Sequence, residues 1–388
     1  MDFTKIKVLL LDGGSRQILP ILYDIKELGC HVTTFNTSKL DNGYVSRYPN
    51  AKILRIDAQT DSEILQKAID DEIMSGKYDV VIPFGDKYTN FVTLNEDKYR
   101  KVTRLACAPR AAYIQAFDKQ KTFARCAENK IPCPLTRQEG QDIEDFFSKT
   151  RFPIIIKPRS GYGSIGFAKI ETAEKFNNLI KLGKIDIDKY VVQECVVNFK
   201  TRYYVNAFFD KNGDLKSVVS GRTTRWFPID AGAGSMCQTK KLPKIIEYSV
   251  KLLKSMNWQG FAQVTWFLDP YDNVPKVIEI NGRIPAGIKT NRMAGVSIGK
   301  QLVEYAMDLP VTDFGMNFKE DIITRCILTD SLWFLNSSDR FRSRPSWFRF
   351  WKSYDVIFSW KDPFPFFTYL IQHAKTIRQD IRKRKHKI

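Results

Sequence analysis

The chain has 388 residues, of which 43% are hydrophobic and 27% charged, and carries a formal net charge of +18. That length allows roughly two or three domains with a sizeable core. With no apolar run of about 18 residues and a start, "MDFTKIKVLLLDGG", unlike a secretory signal, it is expected to be a cytoplasmic protein without a membrane-spanning helix.

Along the chain, "IKVLLL" reads as a strand, "ILPILYDIKEL" as a helix closed by Gly29, and "HVTTF" and "ILRIDA" as strands. "DSEILQKAIDDEIMSG" is the next helix and "YDVVIPFG" the next strand. This alternation predicts a Rossmann-like parallel α/β layer over residues 1–116. Asp12 to Arg16 and Asp86 follow strands, at the carboxyl ends where such sheets hold ligands; ordinary turn residues are the alternative reading. Asp118 is placed to N-cap the helix in "DKQKTFARCAENKIPCP", which opens a second domain over 117–330.

In "FPIIIKPRSGYGSIGFAKI", Gly161, Gly163 and Gly166 spell GxGxxG. A dinucleotide fingerprint needs a helix directly after the last glycine, whereas "GFAKI" alternates like a strand. A Walker loop ends in Gly-Lys-Ser/Thr, yet Lys157 precedes the glycines. A kinase flap would need an HRD loop, and none of His31, His373 and His386 stands in one. Three histidines also argue against Ser-His-Asp and Cys-His chemistry, and seven cysteines without a CxxC pair argue for reduced thiols rather than structural zinc. What remains is a hairpin flap, with Ser160, Gly161, Gly163, Ser164 and Gly166 supplying small residues and backbone amides to phosphates.

Further on, "TRYYVNAFFDKNGDLKSVVSG" predicts a hairpin turning at Asn212-Gly213. Arg222 and Arg225, followed by the glycine-containing "DAGAGSMCQT", suit capture of an anionic acceptor, with a surface arginine pair as the alternative. In "KVIEINGRI" the two-residue strand period places Glu279 and Asn281 on one face with Arg283 next. Those oxygens suit Mg2+ (or Mn2+), and Arg283 suits a transferred phosphoryl group. From residue 339 on, 13 Lys and Arg against 4 Asp are interleaved with aromatics such as Trp347, Phe350, Trp351 and Trp360. This basic aromatic extension, 331–388, suits an anionic membrane surface; nucleic acid is the weaker alternative, and packing against the body is another.

The ordered series Asp118-Lys119, "IIIKP", "RSGYGSIG", "YVVQECV" and "VIEINGR" resembles the ATP-grasp superfamily, and within it the carbamoyl-phosphate-synthase-like branch. The resemblance implies an N-terminal pre-ATP-grasp layer, then a two-lobed ATP-grasp fold. It implies that Lys119 and Lys157 contact the nucleotide, and that Gln193, Glu194 and Val196 hold the adenine at the hinge. Gln263 would be a further metal ligand, with Asp269 a weaker candidate, and Lys157 and Arg283 would serve the chemistry. The sequence departs from the family pattern in two places. The acidic residue expected to hold the ribose is missing from "NFKTRYY", and Asn-Gly-Arg stands where relatives have Asn-Pro-Arg. The expected activity is an ATP- and Mg2+-dependent carboxylate-amine (or carboxylate-thiol) ligase acting through an acyl phosphate on small-molecule carboxylate and amine substrates. The basic tail adds an expectation of work at the inner membrane face, on precursors of bacterial surface polysaccharide or secondary metabolites. The rival readings are a nucleotide-binding regulator and a protein that binds nucleic acid or a membrane through its tail.

Overall fold

A computed structural model describes residues 2–161, 166–196, 201–229 and 232–373. Gly163 and Ser164 therefore lie outside the described residues.

The N-terminal layer contains β1 (Lys7–Leu10), β2 (His31–Asn36), β3 (Ala51–Leu54), β4 (Val80–Ile82) and β5 (Arg104–Leu105). All run parallel, in the order β3-β2-β1-β4-β5. The central strands β1 and β4 are nearly continuous runs of Val, Leu and Ile because they are covered on both faces. The helix Ile18–Glu27 buries Ile18, Leu19, Ile21, Leu22 and Ile25, and Gly29 ends it at φ +91°, the left-handed conformation a side chain resists. The chain order reverses between β1 and β4, which opens the crevice where Asp12 and Gly85 meet. A Cβ on Gly85 would stand 2.7 Å from an Asp12 carboxylate oxygen.

The small lobe is a three-stranded antiparallel sheet of β6 (Ile154–Pro158), β7 (Ala168–Ile170) and β8 (Tyr190–Glu194), with β6 in the centre. It has a hydrophobic core of its own, around Phe146, Ile154, Ile156, Phe176 and Val192. The segment after the glycine loop is thus a strand, as its alternation predicts.

The large sheet takes in β9 (Arg202–Phe209), β10 (Leu215–Phe227), β11 (Ala233–Thr239), β12 (Gly260–Leu268), β13 (Pro275–Asn281), β14 (Ile323–Arg325) and β15 (Ser353–Asp355). Their order is β13-β12-β9-β10-β11-β14-β15. β9 and β10 form the hairpin that turns at Asn212-Gly213. Residues 331–373 are not a separate extension. β15 pairs in parallel with β14 on the same sheet, and Asp362, buried, accepts hydrogen bonds from Tyr23 (3.0 Å), Ser46 (2.6 Å) and the Arg47 amide (3.2 Å) of the N-terminal layer. One continuous core joins that layer to the large sheet. Among the described residues, no helix is long and apolar enough to cross a membrane.

Candidate active site

A cavity of about 390 Å³ lies where the three parts meet. Its floor is one face of the large sheet, and strand register builds that floor in rows. Asn281, Gln263 and Asn206 stand side by side across β13, β12 and β9, and Glu279, Thr265 and Tyr204 form the next row. All six line the cavity.

Hydrogen bonds orient the polar groups of the floor. Asn281 Nδ2 donates to Glu279 Oε1 (3.1 Å), and Gln263 Nε2 donates to Asn206 Oδ1 (2.9 Å). With the amide nitrogens engaged, the oxygens of Asn281 and Gln263 and the second oxygen of Glu279 remain as hard donors, the set Mg2+ prefers. These residues fit the ion. Asp269 does not join them: it is buried in an ion pair with Lys276, which corrects its reading as a weaker ligand.

Cations face this carboxylate. Asp118 caps the helix Lys119–Glu128 by accepting from the Gln120 amide (2.9 Å), and also receives Arg159 (2.9 Å). That places Lys119 beside the flap, where its Nζ donates to the Gly161 carbonyl (3.0 Å). Burial depresses the Lys119 pKa, against the pull of Glu279, Asp118 and Asp86. Lys157, in β6, lies with Nζ 3.4 Å from the Ile278 carbonyl and 4.7 Å from the centre of the Phe123 ring. Burial lowers its pKa to about 7; Glu279 opposes the shift and Lys119 adds to it. Two ammonium groups this short of solvent are held for an anion that can repay the desolvation. Arg283 lines the cavity, its Nε donating to Asp86 Oδ1 (3.0 Å).

Arg202 was not singled out by the sequence, although it stands where the ribose acid is missing. It lines the cavity, donates to the Gly232 carbonyl (2.8 Å) and lies 4.2 Å from the Trp226 ring. Burial brings its pKa down to about 10, with Glu279 opposing. The alternation of Arg202, Tyr204 and Asn206 along β9 was the available signal. Arg16 also lines the cavity, 3.4 Å from the Gly234 carbonyl. Of the two loops noted at strand ends, Arg16 and Asp86 line the site and Asp12 does not.

One further expectation is corrected. Arg222 and Arg225 do not reach the cavity. Thr223 and Cys237 are paired and line it; Arg222, one residue before Thr223, faces away by ordinary alternation, and the irregularity at Thr224 turns Arg225 to that same opposite face. Arg222 Nε donates to Gln238 (3.0 Å), while Arg225, 2% exposed, is bound to Asp330 (2.6 Å) and the Pro345 carbonyl (2.7 Å). At the hinge, the Glu194 carboxylate is already engaged by Arg151 (2.9 Å), the Leu135 amide (3.2 Å) and Lys276 (3.4 Å). Gln193, buried, donates to Thr136 (2.7 Å), and Val196 is buried; none of the three hinge residues lines the cavity. Ser160 and Gly166 flank the flap outside the lining, with Gly161 inside it.

Comparison with known proteins agrees with this geometry. Residues 116–287 match the ATP-grasp domain family. The chain is also similar in structure to a biotin carboxylase–β,γ-ATP complex from Campylobacter jejuni, at TM-score 0.66 and 16% identity over 82% of this chain and 75% of that one. An N5-carboxyaminoimidazole synthetase from Staphylococcus aureus complexed with ADP matches at 0.62 and 15%, over 83% and 82%. An L-amino acid ligase from Bacillus licheniformis matches at 0.58 and 15%, over 78% and 74%. Residues 116–287 are thus similar to the ATP-grasp domain family, and the chain shares the fold of these proteins.

Proposed function

We propose that the protein is an ATP- and Mg2+-dependent ligase that joins a carboxylate to an amine, forming a carbon–nitrogen bond with release of ADP and phosphate. One observation carries this reading: the oxygens of Glu279, Asn281 and Gln263 share a single cavity with Lys119, Arg283 and the Gly161 flap. A divalent ion bound there would screen the nucleotide's phosphate charges. The nucleotide's phosphates would find cationic partners in Lys119 and Lys157, with the sheet floor beside them for the carboxylate. A carboxylate oxygen attacks the γ-phosphorus, the bond to ADP breaks, and an acyl phosphate results. The amine nitrogen then attacks the acyl carbon, phosphate leaves and the amine proton passes to solvent. Lys119 and Lys157 would neutralise charge in the first step, and Arg283, oriented by Asp86, would hold the phosphoryl oxygens through both. Supporting this class, two of the structurally similar proteins are by name a synthetase and an amino acid ligase.

The test is ADP release with Mg2+ and ATP across a matrix of carboxylates and amines, sugar acids and amino acids included, with Glu279→Gln as control. Turnover that needs a particular pair and vanishes in Glu279→Gln is the expected result. ATP binding without turnover for any pair would favour a nucleotide-binding regulator, and absence of ATP binding would overturn the reading altogether.

A further inference from the structure

Residues 335–371 present an outward surface that the catalytic reading does not use. Phe341, 72% exposed, lies with its ring centre 5.5 Å from Phe334 and 6.4 Å from Phe348, and Trp351 beside this cluster is 80% exposed. Arg340, Arg342, Arg344, Arg349 and Lys352 are threaded through the same stretch, which holds no acidic residue from 340 to 354. None of the five makes an ion pair among the described residues. Further along, Trp360 is 88% exposed and opens a helix over residues 364–373. That helix turns Phe364, Phe367 and Ile371 outward at i, i+3 and i+7 while Tyr369 anchors its inner face beside Arg16. Seven Lys and Arg against one Asp follow in the sequence after residue 373.

We propose that this surface docks the protein on an anionic lipid bilayer. Large exposed aromatic patches mark contact sites, and tryptophan beside unpaired cations suits the headgroup layer, where rings and charges are satisfied together. Two features favour lipid over nucleic acid. The outward groups include Leu335 and Ile371, which enter acyl chains but offer no plane for a base to stack on. A helix edge with an apolar stripe lies flat on a bilayer and has no groove for a strand. Self-association is disfavoured, because a two-fold contact would bring two copies of the same unpaired cations together.

The experiment is co-sedimentation of the full-length chain with vesicles of phosphatidylcholine alone or mixed with phosphatidylglycerol, at low and high salt. Binding to the anionic vesicles only, weakened by salt, is expected. Trp351→Ala with Trp360→Ala should lower partitioning roughly tenfold, and Arg342→Gln or Lys352→Gln about fivefold each. These positions are exposed, so unchanged thermal unfolding checks that the variants are folded. Failure to bind anionic vesicles would overturn the proposal. So would binding untouched by the tryptophan changes, which with equal retention on polyuridylate would point to a nucleic acid. A dimer seen by light scattering and broken by the same substitutions would overturn it in favour of self-association.

Discussion

Truncating Arg225 to alanine would leave Asp330, fully buried, with only Arg325 as its ionic partner. Breaking one arm of a buried pair typically costs about 3 kcal/mol, so Arg225→Ala should lower stability by that order in denaturant unfolding. The activity of the folded fraction should be unchanged. Arg202→Ala should do the reverse: the nucleotide KM should rise severalfold in steady-state assays, with little loss of stability, because its guanidinium faces the cavity. The sequence pointed at the wrong arginines for a physical reason. Charge ahead of a glycine-containing loop says nothing of the face a side chain takes: Arg222 faces away by ordinary alternation, and the irregularity at Thr224 turns Arg225 away as well. Glu279, Asn281 and Gln263 lie in regular pairing, and there the two-residue period carried through to one face. At the hinge, burial tends to raise the Glu194 pKa, but Arg151, the Leu135 amide and Lys276 outweigh it and hold it below 4.5. A carboxylate depressed in the folded state stabilises above its unfolded value, and the gain is lost as pH falls through the folded value. Thermal unfolding should therefore show the wild-type chain losing stability below about pH 4.5 more steeply than Glu194→Gln.

The described end of the flap hairpin is sensitive to a single substitution. Gly166 sits at φ +74°, and a Cβ there would come 2.8 Å from Pro158 Cγ. Gly166→Ala should cost roughly 1–2 kcal/mol locally, read as faster amide exchange in β6 and β7 and a raised ATP KM with a nearly unchanged midpoint of global unfolding. Long elements announced themselves in the sequence: the β9–β10 hairpin has its Asn-Gly turn, and the helix at Lys119 has its aspartate cap. β14 and β15, three residues each, are too short to show a period. Their pairing depends on partners far along the chain, so the large sheet's far edge was invisible in advance and the basic, aromatic composition dominated the reading of that region.

At the scale of the whole molecule, the C-terminal segment is structural as well as outward-facing. Lys289 donates to the Asp355 (2.6 Å) and Phe358 (2.7 Å) carbonyls, and Asp362 ties β15's continuation to the N-terminal layer. A chain ending at residue 336 should melt lower by roughly 5 °C or more in calorimetry, whereas the exposed tryptophan variants should not. The parallel layer and the later long hairpins were legible because the pattern changes from short alternating elements to long ones. The bonding between them was not, since it passes through lone residues such as Asp362 and Asp24.

That bonding has a mechanical consequence. On the helix Ile18–Glu27, Asp24 accepts from the Gly299 amide (3.0 Å), and Gly299 has no room for a side chain against it; with Asp362 on the other side, the layer and the large sheet form one anvil. Only the small lobe, with its private core, is left to act as the jaw. On the proposed function, nucleotide binding should then appear as hydrogen-exchange protection in β6 to β8 with none gained around Asp362. The anvil, which bears Arg16 and the floor residues Glu279, Asn281 and Gln263, would keep one shape throughout: the mould of the site is fixed, and timing belongs to the jaw.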